Sequence, residues 1–280
     1  MQLKRIVLSF MIILYLLPTI VFSWNAVGHK VIATIAYEKL NPNVREKIDE
    51  VVGVMSSQYQ NTNSFPQLSV WPDRIRLQKI ETYTHWHYIN KPIFADKVEF
   101  AGKIDTDNAI WAVNKIVPII KNKKANRYEF SRFIAFYSHI VSDLHQPLHT
   151  VSYFSKAFPR GDRGGNGYQI IYDQKKDNLH HLWDSGIGIF NVEDNNENIT
   201  LIANQLTAKY PEASFQDKLN NLNPNDWVEE GVLNAKKYVY QTPLNEAVSQ
   251  SYIETNKSIA EQQAALAGYR LAMLLNQLLG

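Results

Sequence analysis

A histidine and an aspartate on the inward face of one helix narrow the folds open to this chain. Residues 138–149 read SHIVSDLHQPLH, which places three of the eight histidines within twelve residues. His139 and Asp143 are four apart, so on a helix they share a face. Phe133, Phe136, Tyr137 and Ile140 surround that face, so it looks inward. A buried His/Asp pair must be hydrogen-bonded or coordinated. It is either a satisfied core pair or part of a ligand set brought together by the rest of the fold. Gln146-Pro147 ends the helix, and the turn can swing His149 back toward Asp143. His145 lies about 200° around the helix from Asp143, so it faces away and is structural.

The start of the chain reads as a targeting segment. Lys4 and Arg5 precede the apolar run IVLSFMIILYLL, and PTIVFS supplies a cleavage site after Ser23. The run is short against the roughly 20 residues of a membrane span, so residues 1–23 read as a signal peptide and residues 24–280 as one mature domain. No later stretch is long and apolar enough to span a membrane, and no protein partner is predicted. Removing Lys4 and Arg5 from the 29 basic residues leaves 27, matching the 27 acidic ones. A neutral chain has no global field to collect a polyanion, so phosphate binding must be local. Cysteine is absent. An exported chain without disulfides must rely on its core, and on metal if it binds any.

Helical periodicity dominates the mature chain. Helices are predicted over 26–40, stopping before Asn41-Pro42, and over NVREKIDEVVGVM. DTDNAIWAVNKIVPIIKN reads as a helix that Pro118 should kink or end early. Further helices are read in 128–145, DWVEEGVLNAKKYVY and IAEQQAALAGYRLAMLLNQLL. HWHYI near 85–89 and YQIIY at 168–172 are short strand candidates. The stretches around 56–70, 153–167 and 190–200 read as polar loops. The class is mainly α.

Other polar residues repeat the opening pattern. In NLHHLWDSG, His180 and Asp184 have the same i, i+4 spacing. His180 and His181 cannot both face one ion on a regular helix, so one is a spectator. Asp73 lies three residues before Arg76 in WPDRIR. His85 and His87 of THWHYIN share a face if that segment is a strand. Cleavage after Ser23 frees the α-amine of Trp24, whose ordinary pKa of about 7.7–8.0 lets a metal deprotonate it. That amine and the Trp24 carbonyl form a five-membered chelate that His29 can complete, or Trp24 is a packing residue. Nitrogen and carboxylate donors without thiolate suit zinc. Their number exceeds one ion's needs and suggests a multinuclear site of the kind that hydrolyses phosphate esters.

Taken in order, WNAVGH, WPDRIR, WHYIN, HIVSDLHQPLH, DRGGN and NLHHLWDS resemble the zinc-dependent, single-strand-specific nucleases of plants and fungi (the S-one/P-one, or type I, nucleases), in a bacterial-type form. The resemblance spans residues 24–185. It implies a single-domain helical bundle of the phospholipase C/single-strand nuclease type with a short β-hairpin, holding three zinc ions. Carried over by motif, Asp73, His87, His139 and Asp143 would hold the first ion. His149, His180 and Asp184 would hold the second. Trp24, His29 and the bridging Asp143 would hold the third. His85, His145 and His181 would be spectators or supports.

The implied reaction is attack by metal-bound hydroxide on single-stranded DNA and RNA, giving 5′-phosphate products, with 3′-nucleotidase activity on nucleoside 3′-phosphates. Asp73, Asp143 and Arg76 would form the catalytic group, with Arg76 stabilising charge in the transition state. Tyr88 would stack a base, and Asn90 and Asn166 would touch its edge. The enzyme would be periplasmic or secreted. Three departures from the family pattern stand out: Asn90 where some members have Asp, Pro72 for Ala, and a longer TVSYFSKAFPRG before the GGN motif. The rival readings are a zinc phospholipase C of the related fold and a non-catalytic zinc-binding exported protein. Tyr88 beside a ligand and Asp184 as the final ligand of its motif favour nucleic acid.

Overall fold

The computed structural model describes residues 24–95, 98 and 104–280; the expected signal peptide, residues 1–23, lies outside them. Helices α1 (Ala26–Glu38), α2 (Pro42–Ser56), α3 (Phe65–Ser69) and α4 (Trp71–Leu77) come first. α5 (Ala109–Lys121), α6 (Arg127–Asp143) and α7 (Leu179–Asp184) follow, then α8 (Asn196–Lys209), α9 (Gln216–Leu219), α10 (Pro224–Asn234) and α11 (Gln250–Leu279). A π-helix, Ala235–Val239, continues α10.

Asparagine starts many of these helices. Its short side chain accepts a backbone N–H that the first turn leaves open. Asn25 does this for Gly28, Asn126 for Tyr128, Asn178 for His181 and Asn195 for Asn198. The cap at Asn25 fixes where α1 begins and thereby where His29 points.

α1 and α11 form the spine. One apolar cluster joins Trp24, Val31 and Ile35 of the N-terminal segment to α7, α8 and the Ala264–Tyr269 stretch of α11. The other joins Ala33 and Ala36 to α2, α4, α5, α6 and Leu271 and Leu275. The two helices approach closely because Gly268 has no side chain: a Cβ there would lie 2.6 Å from Ile35 Cγ2. α6 is buried at every residue from Ile134 to Asp143. Its polar residues are therefore cut off from water. The class is mainly α.

Two small sheets complete the fold. β1 (Lys91–Phe94) pairs in parallel with β2 (Val151–Phe154), Lys91 opposite Val151. β3 (Gln169–Tyr172) and β4 (Lys175–Asn178) form an antiparallel hairpin. Asp173 and Gln174 turn it at φ 47° and 60°, as a two-residue type I′ turn requires.

Several expectations are corrected. HWHYI is not a strand: residues Glu81–His87 form a 3-10 helix, and Tyr88, just past its end, is extended. Near three residues per turn, His85 and His87 point to different sides. His87 goes inward, and His85 goes out to Asp107 at 2.9 Å. WPDRIR, for which no element was predicted, is helix α4, which puts Asp73 and Arg76 on one face. The polar stretch 56–70 contains α3, and 190–200 contains the start of α8, because Ser64 and Asn195 are caps. Residues 153–154 of the expected loop belong to β2. α5 does not end at Pro118 but continues to Lys121, since only the last turn lacks the proline's N–H.

Candidate metal centre

α6, α4 and α1 converge on one buried cluster. His139 Nε2 lies 2.9 Å from His87 Nδ1, 3.3 Å from Asp143 Oδ2 and 3.6 Å from Asp73 Oδ1. His87 Nδ1 is 3.3 Å from Asp143 Oδ2 and 3.6 Å from Asp73 Oδ1. His29 Nε2 reaches Asp143 Oδ1 at 3.3 Å, and its ring stacks on His139 with centroids 3.9 Å apart. Asp143 thus faces His29 with one oxygen and the His87/His139 pair with the other. Beside it, His149 Nε2 and His180 Nε2 face Asp184 at 3.6 Å and 3.3 Å. Three groups have donor atoms close enough for one ion: His29/Asp73/His139, His87/His139/Asp143 and His149/His180/Asp184.

The tautomers follow from the hydrogen bonds behind each ring. A carbonyl only accepts, so Nδ1–H of His139 donates to Ser69 O at 2.7 Å. His149 donates to His87 O at 2.7 Å, and His180 to Gly164 O at 2.5 Å. Ser142 Oγ gives its own proton to His139 O and accepts from His29 Nδ1 at 2.5 Å. Four rings are therefore locked with the Nε2 lone pair aimed at a carboxylate. Lone pair against anion is repulsive unless a cation or proton lies between them. Both Asp143 oxygens and His149 Nε2 are buried and take no hydrogen bond among the described residues. Orphaned buried atoms of this kind cost about 1–3 kcal/mol each. These imidazole and carboxylate donors fit zinc.

The titration of the cluster reflects the same conflict. Burial pulls His139 down, but the carboxylates of Asp143 and Asp73 outweigh it and hold the ring at about 9. Burial, then the His139 charge, takes His29 to about 4. Burial would raise Asp143, yet His139 and His149 hold it well below the ordinary carboxylate range. Burial drives Asp184 well above that range, and His180 and Gln146 only partly offset it. Without a cation, the carboxylates favour the charged form of His139, and burial favours the neutral form of Asp184.

Trp24 is fully buried. Its indole donates to Ser142 O at 2.9 Å and meets Phe190 edge-on. The next residue's N–H bonds Asp184 O at 2.9 Å. The N-terminal segment is thus tied to both clusters. His145 is buried away from them: Nδ1–H donates to Val141 O, and Nε2 accepts from Arg270 at 3.0 Å. His181 is exposed and paired with Asp177. Arg76 lies in the last turn of α4, and its charge is felt at Tyr88, which is half-buried. Asn90 lies two residues after Tyr88 and just before β1, while Asn166 donates to Arg163 O at 2.8 Å.

Gln146 and Ser142 were not legible as supporting residues in the sequence. Gln146 Nε2 donates to Asp184 Oδ1 at 2.7 Å, and its Oε1 accepts from Leu148 N. Ser142 orients His29. Both lie inside the opening motif, where a polar residue beside a candidate ligand on a buried helix end is the available signal.

A family model described as S1/P1 nuclease matches residues 24–280. Endonuclease 1 of Arabidopsis thaliana is 27% identical over 98% of this chain and 92% of its own length. Nuclease S1 of Aspergillus oryzae is 23% identical over 93% of both. Nuclease P1 of Penicillium citrinum is 23% identical over 58% of this chain and 57% of its own.

Proposed function

Because the chain belongs to the S1/P1 nuclease family, we propose that it hydrolyses phosphodiesters of single-stranded DNA and RNA with three zinc ions and removes phosphate from nucleoside 3′-phosphates. One observation carries the metal reading: four buried histidines are locked with their lone pairs toward buried carboxylates. Asp73, His87, His139 and Asp143 would hold one ion. His149, His180 and Asp184 would hold a second. Trp24, through its amine and carbonyl, would hold a third with His29 and Asp143. Zinc bound there would acidify water and neutralise charge on the phosphate.

The chain's own residues supply the rest. Asp143 and Asp73 set the charge of the pocket. Ser69 O, Ser142, His87 O and Gly164 O hold the Nδ1 side of the His139, His29, His149 and His180 rings and keep Nε2 aimed at the pocket. Arg76 adds a fixed positive charge for phosphate oxygens, and Tyr88 offers a stacking face that accepts any base. Asn90 and Asn166 are the candidates for the base edge. Export, with cleavage between Ser23 and Trp24, would free the α-amine. The family match starting at residue 24 supports that boundary, and no described helix is long and apolar enough to cross a membrane.

Hydrolysis of single-stranded DNA, RNA and phosphatidylcholine is to be measured side by side, with and without chelator. Cleavage of both nucleic acids, lost with chelator and regained with zinc, is the expected result. Hydrolysis of phosphatidylcholine alone, or nucleic acid cleavage indifferent to chelator, overturns the reading.

A further inference from the structure

The segment between His149 and the glycines of DRGGN carries Lys156, Arg160 and Arg163, all exposed and none in an ion pair among the described residues. Its one carboxylate, Asp162, is buried and taken: Tyr240 donates to Oδ2 at 2.7 Å and Tyr153 N to Oδ1 at 2.8 Å. The loop is knit to itself by Phe158 N to Ser155 O, Gly161 N to Phe158 O and Asp162 N to Tyr153 O. Phe158 packs on Tyr168, with centroids 5.8 Å apart. Both stems are attached to the candidate metal centre. His149 lies two residues before β2, and Arg163 is one peptide, about 3.8 Å between Cα atoms, from Gly164, whose carbonyl holds His180.

We infer that this loop is a preformed cationic clamp for the phosphodiester backbone of a single strand flanking the scissile bond. The inference rests on the nuclease reading above. With 27 bases against 27 acids after residue 23, the chain offers no general attraction to a polyanion, so local cations must supply it. Three cations outside any ion pair among the described residues, on a loop hydrogen-bonded to itself and joined at both ends to the site, supply that local charge. Holding them in place beforehand avoids an ordering cost when the strand binds. The clamp contacts no base, so it adds affinity without sequence preference.

The test combines Lys156→Gln, Arg160→Gln and Arg163→Gln in one zinc-loaded protein. The substrates are a single-stranded oligonucleotide and a dinucleoside monophosphate, whose only phosphate is the scissile one. Each phosphate contact on a single strand contributes about 0.7 to the slope of log affinity against log salt. The oligonucleotide slope should therefore flatten by about 2, and kcat/KM at low salt should fall by roughly tenfold or more. The dinucleoside monophosphate and the zinc content should be unchanged. An unchanged slope, or equal losses on both substrates, overturns the clamp. If the unaltered protein cleaves neither substrate, the nuclease reading itself fails and the clamp fails with it.

Discussion

Asp143 and His145 stand two residues apart on the same helix end and do opposite work. Asp143 faces His29, His87 and His139, whereas His145 accepts from Arg270 in the core. Asp143→Asn keeps the volume but removes the charge that faces His29 with one oxygen and His87 and His139 with the other. It should lose at least one zinc and lower activity by more than about a hundredfold. His145→Ala leaves the Val141 carbonyl and one Arg270 N–H without their partner and opens a cavity. It should cost about 2–4 kcal/mol of stability while zinc content stays the same. Elemental analysis and thermal unfolding of both variants check this, and a larger zinc loss in His145→Ala would contradict it. Helical spacing extended to residue 145 separated these two roles in the sequence, although α6 itself ends at Asp143 and His145 lies in the turn that follows. It could not identify the partner of His145, because Arg270 lies 125 positions away.

Helices were more legible than the short segments between them. α1, α2, α6 and α11 announce themselves through apolar periodicity and asparagine or serine caps. The 3-10 helix over Glu81–His87 did not, because alternating aromatic and polar residues also suit a strand. The parallel β1–β2 pair joins residues about sixty positions apart, which local pattern does not reveal. The spine offers a direct test of packing against propensity. Gly268→Ala should gain about 1 kcal/mol of helix propensity. Its new Cβ, however, would sit 2.6 Å from Ile35 Cγ2 and 3.1 Å from Ile32 O. Both neighbours are fully buried and cannot retreat. Overpacking of about 1–3 kcal/mol wins, so thermal unfolding should shift down by several degrees with the zinc content intact. An upward shift would show that α1 and α11 slide apart freely.

At the scale of the whole molecule, the fold brings five separate stretches of sequence to one buried centre. The order and spacing of the motifs make that gathering legible in the sequence. The support behind each ligand is not legible there, since Ser69, Gly164 and the His87 carbonyl act through backbone oxygens that carry no side-chain signature. With no cysteine to form a disulfide, a centre that binds zinc as proposed would draw folding stability from its ions. The most direct measurement is elemental analysis of active protein that begins at Trp24. The ligand sets proposed above, with Trp24 completing the third, call for about three zinc ions per chain. Fully active protein containing one zinc or none would contradict that.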